Sequence, residues 1–240
     1  MKLSEALKTR RSIRQFTPVS IPDDVLERVI SKALLSPSGG NSQPYRIAIA
    51  SGSTKNKIAD ELSSKFAKAS RIKRLPLPSK IWQGLTSGVL PDGDYNPDVS
   101  YPDELKKRKF DCGMGLYETL GIERSDYEAR EAQMQKNFEF FGAPTAIFIF
   151  INDKLGLYSA LDAGIFMQSL MLAAVEEGLG SCPQAAIATW ASPIKKHFDI
   201  EEDYKLLCGL SIGYPAEHKV NTYQPAKRSV ENVMFAPTSK

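Results

Sequence analysis

Positively charged side chains crowd one short stretch near the beginning of the chain. Arg10, Arg11 and Arg14 place three guanidinium groups within five residues, and Ser12 adds a hydroxyl group between them. Guanidinium groups this close repel one another unless an anion lies among them, and their fork of donors suits a phosphate. The stretch therefore predicts a phosphate-binding site. The alternative is an ordinary solvated surface turn, which is the commoner fate of arginine-rich segments.

A second stretch, residues 37–44, combines small residues and two amides between two prolines. This composition favours a rigid loop whose backbone and amide groups can closely approach a polar, planar ligand. The alternative is a plain connecting loop, because glycine, proline, serine and asparagine are also the usual loop formers. The candidate contact residues in this loop are Pro37, Ser38, Asn41 and Gln43.

Motifs for several other chemistries are absent from the sequence. It has no G-x-x-x-x-G-K-[ST] phosphate loop, no G-x-G-x-x-G dinucleotide turn and no G-x-S-x-G nucleophile elbow. The two histidines, His197 and His218, stand near neither a cysteine nor a paired acid. The three cysteines have no metal-type spacing and fit a reducing cytoplasm. We therefore expect neither a metal site nor a hydrolytic triad.

Length and charge narrow the class of protein. A chain of 240 residues without a low-complexity linker predicts a single domain over residues 1–240. A net charge of +3 is too small to argue for nucleic acid. The longest mostly apolar run, 163–175, is too short to cross a bilayer, and polar Ser4 and Glu5 stand where an export signal would be apolar. We expect a cytoplasmic protein with no membrane partner.

The elements that must position the two polar stretches follow from hydrophobic periodicity. A continuously apolar strand over 146–151 is typical of the centre of a sheet that is covered on both faces. Many prolines and glycines over 70–102 predict an insertion, which is a lid, a binding loop or a surface excursion. Helices are predicted at about 3–9, 22–34, 54–69, 103–120, 126–141, 158–177 and 193–198, and strands at 45–50, 146–151 and 206–213.

Five landmarks in order along the chain resemble the flavin-dependent nitroreductase family. They are the arginine cluster, the loop 37–44, the stretch 137–144 (NFEFFGAP) before an apolar strand, the stretch 178–184 (GLGSCPQ) after a long apolar helix, and Gly213-Tyr214-Pro215 with Arg228 beyond it. The resemblance implies an α+β fold with three α/β/α layers, a mostly antiparallel central sheet and a long central helix. It also implies a homodimer in which a C-terminal arm, 218–240, crosses to the partner subunit.

The same resemblance implies an FMN enzyme that passes hydride from NADH or NADPH to nitroaromatic or quinone-type acceptors by a ping-pong mechanism. Arg10, Ser12 and Arg228 would hold the FMN phosphate, and Arg11 would reach the phosphate or the ribityl chain. Arg14 and Asn137 would meet the pyrimidine edge of the ring. The backbone of a turn at Pro183, Gln184 and Ala185 would meet flavin N5 and O4, and the second subunit would supply Pro37, Ser38, Asn41 and Gln43. No residue resembles an obligatory general acid, so no catalytic residue is assigned.

Two positions depart from the family pattern. Tyr45 stands where tryptophan is commoner, and Ala226 beside Lys227 and Arg228 allows a phosphate-binding tail that is shifted by one residue. Two other functions stay open on the sequence. One is a flavin-dependent ene-type or ring-modifying reductase of a specific metabolite, which the 70–102 insertion would decide. The other is a protein without turnover, which binds flavin or uses residues 10–14 to bind a polyanion.

Overall fold

Helices and strands are mixed along the chain, as an α+β fold requires. The computed structural model of the protein describes residues 1–95 and 100–238. Within these residues the α-helices are α1 (Leu3–Thr9), α2 (Asp23–Ala33), α3 (Gly52–Lys73), α4 (Leu77–Thr86), α5 (Asp103–Leu120), α6 (Tyr127–Gln135), α7 (Leu157–Glu176) and α8 (Ser192–Lys195). The strands are β1 (Tyr45–Ser51), β2 (Thr145–Asn152), β3 (Gly180–Gln184) and β4 (Tyr204–Gly213).

The four strands form one antiparallel sheet in the order β1-β2-β4-β3. Ile147 in β2 lies opposite Ile49 in β1 and Leu210 in β4, so β2 has a neighbour on each side. Its residues 145–151 are all buried. The continuous apolar run therefore marks a central strand, as predicted.

Alternate side chains of β2 enter two separate hydrophobic cores. Ala146, Phe148 and Phe150 pack with residues of α3 on one face of the sheet. Ile147 and Ile149 pack with residues of α2 and α7 on the other face. Because successive strand residues point to opposite faces, one apolar strand can serve both cores. The three α/β/α layers are confirmed.

The long apolar helix α7 packs on the sheet through only part of its surface. Phe166, Leu170 and Ala174 are buried against the sheet and α2. Leu157 and Tyr158 are 82% and 73% exposed. By length and composition alone α7 could span a membrane, but the core helix of a globular protein passes the same test. The packed face therefore accounts for only part of the apolar character of α7.

The 70–102 segment contains a helix that the sequence did not predict. Helix α3 continues to Lys73, and α4 begins directly after Pro76 and carries Pro78 in its first turn. Proline is tolerated there because the first amides of a helix have no partner within the helix. The prolines that suggested irregular structure therefore begin a helix. Residues 96–99 of the predicted insertion lie outside the described residues.

Two boundaries near the candidate site also differ from the prediction. Helix α6 ends at Gln135 rather than at Phe141, and Asn137 Nδ2 donates to the Met134 carbonyl oxygen at 3.0 Å. In the turn predicted at Pro183, Gln184 and Ala185, the first two residues end strand β3, which pairs with β4, and Ala185 begins a short 3₁₀ helix. Proline is permitted in a strand at the edge of a sheet because one side of the strand needs no hydrogen bonds.

Candidate functional site

The arginine cluster is held against the sheet edge formed by β3. Ser12 forms a parallel bridge with Ser181, and the Ile13 N–H donates to the Ser181 carbonyl oxygen at 3.0 Å. The approach requires Gly180, because a Cβ atom there would lie 2.5 Å from Ile13 Cγ1. The segment that follows α1 is therefore fixed by backbone contacts, which leaves its arginine side chains available for other partners.

A buried amide ties the same segment to the C-terminal part of the chain. Asn221 Oδ1 accepts from the Arg14 N–H at 2.8 Å. Asn221 Nδ2 donates to the carbonyl oxygens of Gln15 at 2.8 Å and Ala216 at 2.9 Å. Every donor and the acceptor of this amide is used, so it stabilises the position of Arg14. The sequence reasoning missed Asn221, because a single asparagine in an aperiodic tail gives no local signal.

The arginine side chains line a cavity of about 560 Å³, which we call the cationic cavity. The tail closes one side of it through residues 223–225, and Tyr223 Oη donates to the Cys112 carbonyl oxygen of α5 at 2.8 Å. A Cβ atom at Gly115 would lie 2.9 Å from that hydroxyl, so this glycine permits the docking. Its polar and charged lining residues include Lys8, Arg10, Arg11, Ser12, Arg14 and Lys227.

The cationic cavity brings five positive side chains together, with no negative side chain among the lining residues that the structure describes. None of its described lining residues is acidic. Within residues 1–95 and 100–238, no carboxylate lies within ion-pair distance of these five side chains. Like charges this close are unfavourable, and a bound dianion would offset the repulsion with charge-assisted hydrogen bonds. The donor set fits the phosphate group of a nucleotide.

Arg14 connects the cationic cavity to the turn that follows α6. It lines a second, small cavity of about 50 Å³ together with Asn137 and Phe141. The Asn137 carbonyl oxygen accepts from Gln184 Nε2 at 2.7 Å, and Gln184 Oε1 accepts from the buried Ser211 hydroxyl. The fold thus brings together Arg14 and Asn137, which were predicted at the ring edge, and Gln184, which was predicted in the turn beside N5 and O4. The Gln184 side chain is 3% exposed and serves to hold this arrangement.

Arg228, which was predicted to hold the FMN phosphate, lies outside the cationic cavity. Arg228 Nη2 lies 2.5 Å from Glu104 Oε1 at the start of α5, and Arg228 does not line the cationic cavity. Lys227 lines the cavity instead. The positive side chain that the tail contributes to the cavity is therefore Lys227, one residue before the predicted Arg228. This is the shift of one residue that Ala226 allowed.

The loop 37–44 does not reach the cationic cavity of its own chain. Ser38 Oγ accepts from the Gln43 N–H at 2.9 Å, and Gln43 Nε2 donates to the Asn41 carbonyl oxygen at 3.3 Å. Pro37 and Ser38 line a separate cavity of about 450 Å³ beside α7. Within one chain, these four predicted contact residues lie together and apart from the arginines.

Strained backbone marks both parts of the candidate site. Asn41, Gln43, Phe140 and Phe141 are the non-glycine residues with positive φ in the part of the chain that the structure describes, at 55°, 47°, 54° and 54°. Side chains other than glycine rarely adopt this conformation, and such strain concentrates at functional sites. All four residues lie in segments that the sequence assigned to the site.

The buried cysteine of β3, Cys182, is not suited to nucleophilic chemistry. Burial raises the pKa of the Cys182 thiol to about 11, and the nearby charges of Arg14 and Arg10 offset this only in part. The thiolate is the reactive form, so the neutral thiol is inert near neutral pH. Among the described residues no group of three histidine, cysteine, aspartate or glutamate side chains could hold a metal ion.

The chain is similar to several characterised proteins over most of its length. It is 30% identical over 208 residues to the nitroreductase NfnB of Mycolicibacterium smegmatis, which covers 87% of this chain and 80% of that protein. It is 30% identical over 214 residues to a 4-nitrobenzoate reductase of Pseudomonas putida, which covers 88% of this chain and 84% of that protein.

Solved structures show the same fold. The FMN- and NADPH-dependent nitroreductase NfnB of Sphigopyxis sp. strain HMH superposes with a TM-score of 0.86 at 29% identity, over 100% of both chains. NfnB of Mycobacterium smegmatis, solved in complex with NADPH, superposes with a TM-score of 0.81 at 26% identity, over 99% of this chain and 100% of that one. The model of the nitroreductase family matches residues 7–214 of this chain. The chain belongs to the nitroreductase family.

Proposed function

We propose that this protein is an FMN-dependent oxidoreductase that passes hydride from NADPH or NADH to nitroaromatic or quinone-type acceptors. The observation that carries the proposal is the cationic cavity of about 560 Å³, with five positive side chains and no acidic residue among its described lining residues. FMN carries a phosphate dianion that suits this cavity. The relatives named nitroreductase and 4-nitrobenzoate reductase support the reaction type.

The phosphate end of FMN has a defined set of partners in this proposal. Arg10 and Arg11 offer planar donor forks, which can bind two phosphate oxygens at once. Ser12 adds a hydroxyl donor, and Lys227 adds a point charge from the tail. Arg228, which is paired with Glu104, contributes charge from just outside the cavity.

The ring end of FMN would extend from Arg14 toward Asn137 and the end of β3. A fixed cation beside the pyrimidine edge stabilises negative charge there, which favours the reduced ring and raises its reduction potential. The Asn137 amide offers a donor and an acceptor to the ring imide. Gln184 and Ala185 have backbone N–H groups near where N5 and O4 would lie, whereas Pro183 has none and contributes only shape.

The proposed reaction requires little chemistry from the side chains. Bound FMN supplies the redox chemistry, in which a hydride from the nicotinamide is taken up and passed on to the acceptor. The chain orients the ring and keeps its polar edge bonded, and no side chain is assigned as a general acid. If both substrates use the same exposed side of the ring in turn, the kinetics are ping-pong.

We propose that the active form is a cytoplasmic homodimer. The loop with Pro37, Ser38, Asn41 and Gln43 lies away from the cationic cavity of its own chain, so a second copy would bring it to the flavin. The exposed apolar face of α7 and the tail residue Phe235, which is 99% exposed, are the surfaces that dimer formation would cover. Of the predicted arm 218–240, Asn221, Tyr223 and Arg228 contact their own chain, so the residues beyond Arg228 would form the part that crosses to the partner.

The two half-reactions can be tested separately. The purified protein is loaded with FMN, reduced anaerobically with NADPH, freed of excess nucleotide and mixed with 4-nitrobenzoate or a quinone. We expect the flavin absorbance to bleach in the first step and return in the second, and steady-state plots at several acceptor concentrations to be parallel. A flavin that NADPH does not reduce, or that neither acceptor reoxidises, would contradict the proposed reaction.

A further inference from the structure

Three residues fasten the 70–95 part of the chain to the segment that follows β3. We call Asp92, Gly93 and Asp94 the acidic clamp. Asp92 Oδ1 accepts from the N–H groups of Ala191 at 2.6 Å and Ser192 at 3.2 Å. Asp92 Oδ2 accepts from the Ser192 hydroxyl at 2.5 Å. The carboxylate thus caps the start of α8 from a distant part of the sequence.

The other two residues of the acidic clamp make the contact close and rigid. The Gly93 N–H donates to the Thr189 carbonyl oxygen at 3.2 Å, and a Cβ atom on Gly93 would lie 2.0 Å from the Ala188 carbonyl oxygen. Only glycine fits there. Asp94 Oδ1 pairs with Lys195 Nζ at 2.6 Å, and Asp94 Oδ2 accepts from the Leu206 N–H at 2.6 Å.

The acidic clamp contacts the end of a short segment whose Ile187 and Ala188 side chains are buried in the core. Residues Ala185–Thr189 form a short 3₁₀ helix, a conformation with poor internal hydrogen-bond geometry. Its beginning is anchored by Gln184, which donates to the Asn137 carbonyl oxygen. Its end is anchored by the acidic clamp and by Trp190, whose Nε1 donates to the Val89 carbonyl oxygen at 3.0 Å.

We infer that Asp92 and Gly93 are positioning residues for the flavin ring, acting through the backbone of Ala185–Thr189. The inference rests on the proposed function, which places the beginning of this segment beside flavin N5 and O4. The phosphate partners lie on other elements, in the segment after α1 and in the tail. Loss of the acidic clamp should therefore change the ring environment while leaving the phosphate anchor intact.

Three variants of the full chain test this inference. Asp92→Ala removes every acceptor, Asp92→Asn keeps one oxygen for the Ala191 N–H, and Asp24→Asn is the control. Asp24 is an exposed acid on α2, on the opposite side of the sheet, paired with Arg28 at 2.6 Å. For each variant we would measure amide hydrogen exchange over 185–192 with and without FMN, the Kd for FMN, the visible flavin spectrum and the rate of anaerobic reduction by NADPH.

For Asp92→Ala we expect exchange over 185–192 to become about tenfold faster or more, as befits the loss of charge-assisted hydrogen bonds. The flavin spectrum should shift, and reduction by NADPH should slow by about tenfold if the ring moves from its productive position. The Kd for FMN should stay within about twofold, because distant sites act independently. Asp92→Asn should recover part of the change, and Asp24→Asn should match the wild type.

Two results would overturn the inference. One is unchanged exchange over 185–192, which would show that the acidic clamp does not hold the segment. The other is faster exchange with a wild-type spectrum and reduction rate, which would show a merely structural role. A wild-type chain that takes up no FMN would overturn the proposed function and the flavin part of the inference, while the exchange measurement would still decide what the acidic clamp holds.

Discussion

Basic side chains have opposite surroundings in two regions of this molecule. Between α2 and α7, Arg28 pairs with Asp24 at 2.6 Å and with Glu177 at 3.2 Å, and Lys32 pairs with Glu176 at 2.7 Å and with Glu177 at 2.8 Å. The hydrogen bonds that Arg28 and Lys32 donate to these carboxylates raise the pKa values of both cations. The cationic cavity has the same residue types and, among the described residues, no carboxylate partner.

The two regions differ in whether carboxylates neutralise their positive side chains. Exposed ion pairs such as those of Arg28 and Lys32 join two helices and contribute little to stability. Five cations with no carboxylate partner among the described residues repel one another, and a bound anion would offset that repulsion. Surface arginines therefore have to be judged by what faces them, which the sequence alone does not state.

Removing one cation from each region gives the largest expected contrast. Arg10→Ala should raise the Kd for FMN by about tenfold to a hundredfold, because it removes a charge-assisted hydrogen bond to the phosphate. Arg28→Ala should leave the Kd unchanged, since its partners are side chains of α2 and α7. Flavin fluorescence titration measures both. Equal affinities in the two variants would remove the distinction between the regions.

Displacing the cationic segment as a whole is the next test. Gly180→Ala puts a Cβ atom 2.5 Å from Ile13 Cγ1 and 2.8 Å from Pro215 Cγ, so the segment after α1 must shift. We expect a loss of about 1–3 kcal/mol in the free energy of unfolding, typical of overpacking, together with weaker FMN binding. Gly84→Ala in α4, where no atom lies within 4 Å of the added Cβ, is the control and should not be destabilised. Urea denaturation of the apoprotein measures the free energy of unfolding of both variants, and equal values would contradict the prediction.

The two cations of the tail should differ in a smaller but informative way. Lys227→Ala should raise the Kd for FMN by about fivefold, and Arg228→Ala by less, because Glu104 already partly neutralises Arg228 and more distant charges act weakly. The comparison is made by the same titration at low ionic strength. A larger effect at Arg228 would mean that the tail rearranges when FMN or a second copy binds.

The smallest expected effect concerns the buried Cys182 thiol of β3. Burial raises the pKa of Cys182 from 9.0 to about 11, so the thiol stays neutral in the folded state while it ionises in the unfolded chain. Its contribution to stability is therefore complete below about pH 9 and is lost as the pH rises toward 11, by less than about 1 kcal/mol at pH 9.5. Urea denaturation at pH 7.5 and pH 9.5 should show a shallower decline for Cys182→Ala than for the wild type. Identical declines would contradict this assignment.

Strong periodicity explains which parts of the fold were predictable. Helix α7 and strand β2 carry long apolar patterns, and both were predicted within a residue or two of their observed ends. Strand β3 was missed because its sequence, GSCPQ, has no apolar alternation and contains a proline. Helix α4 was missed because Pro76 and Pro78 were interpreted as breakers rather than as the start of a helix.

The residues of the candidate site also divide into those that the sequence could predict and those that it could not. The arginine cluster was predictable because its residues are neighbours in sequence, and only family resemblance led us to expect Asn137 near Arg14. Asn221 and the acidic clamp were not found, because their partners lie many residues away and hydrogen bonds across such distances leave no local pattern. The place of Lys227 in the cationic cavity depends on the path of the tail, which periodicity does not describe.

The central claim is that the cationic cavity binds the phosphate of FMN. The most direct measurement compares the Kd of the wild-type protein for FMN with its Kd for riboflavin, which has the same ring and no phosphate, and repeats the comparison with Arg10→Ala. We predict that the wild type binds FMN at least about a hundredfold more tightly than riboflavin and that the ratio falls by about tenfold or more in the variant. Equal affinity of the wild type for the two flavins would contradict the account.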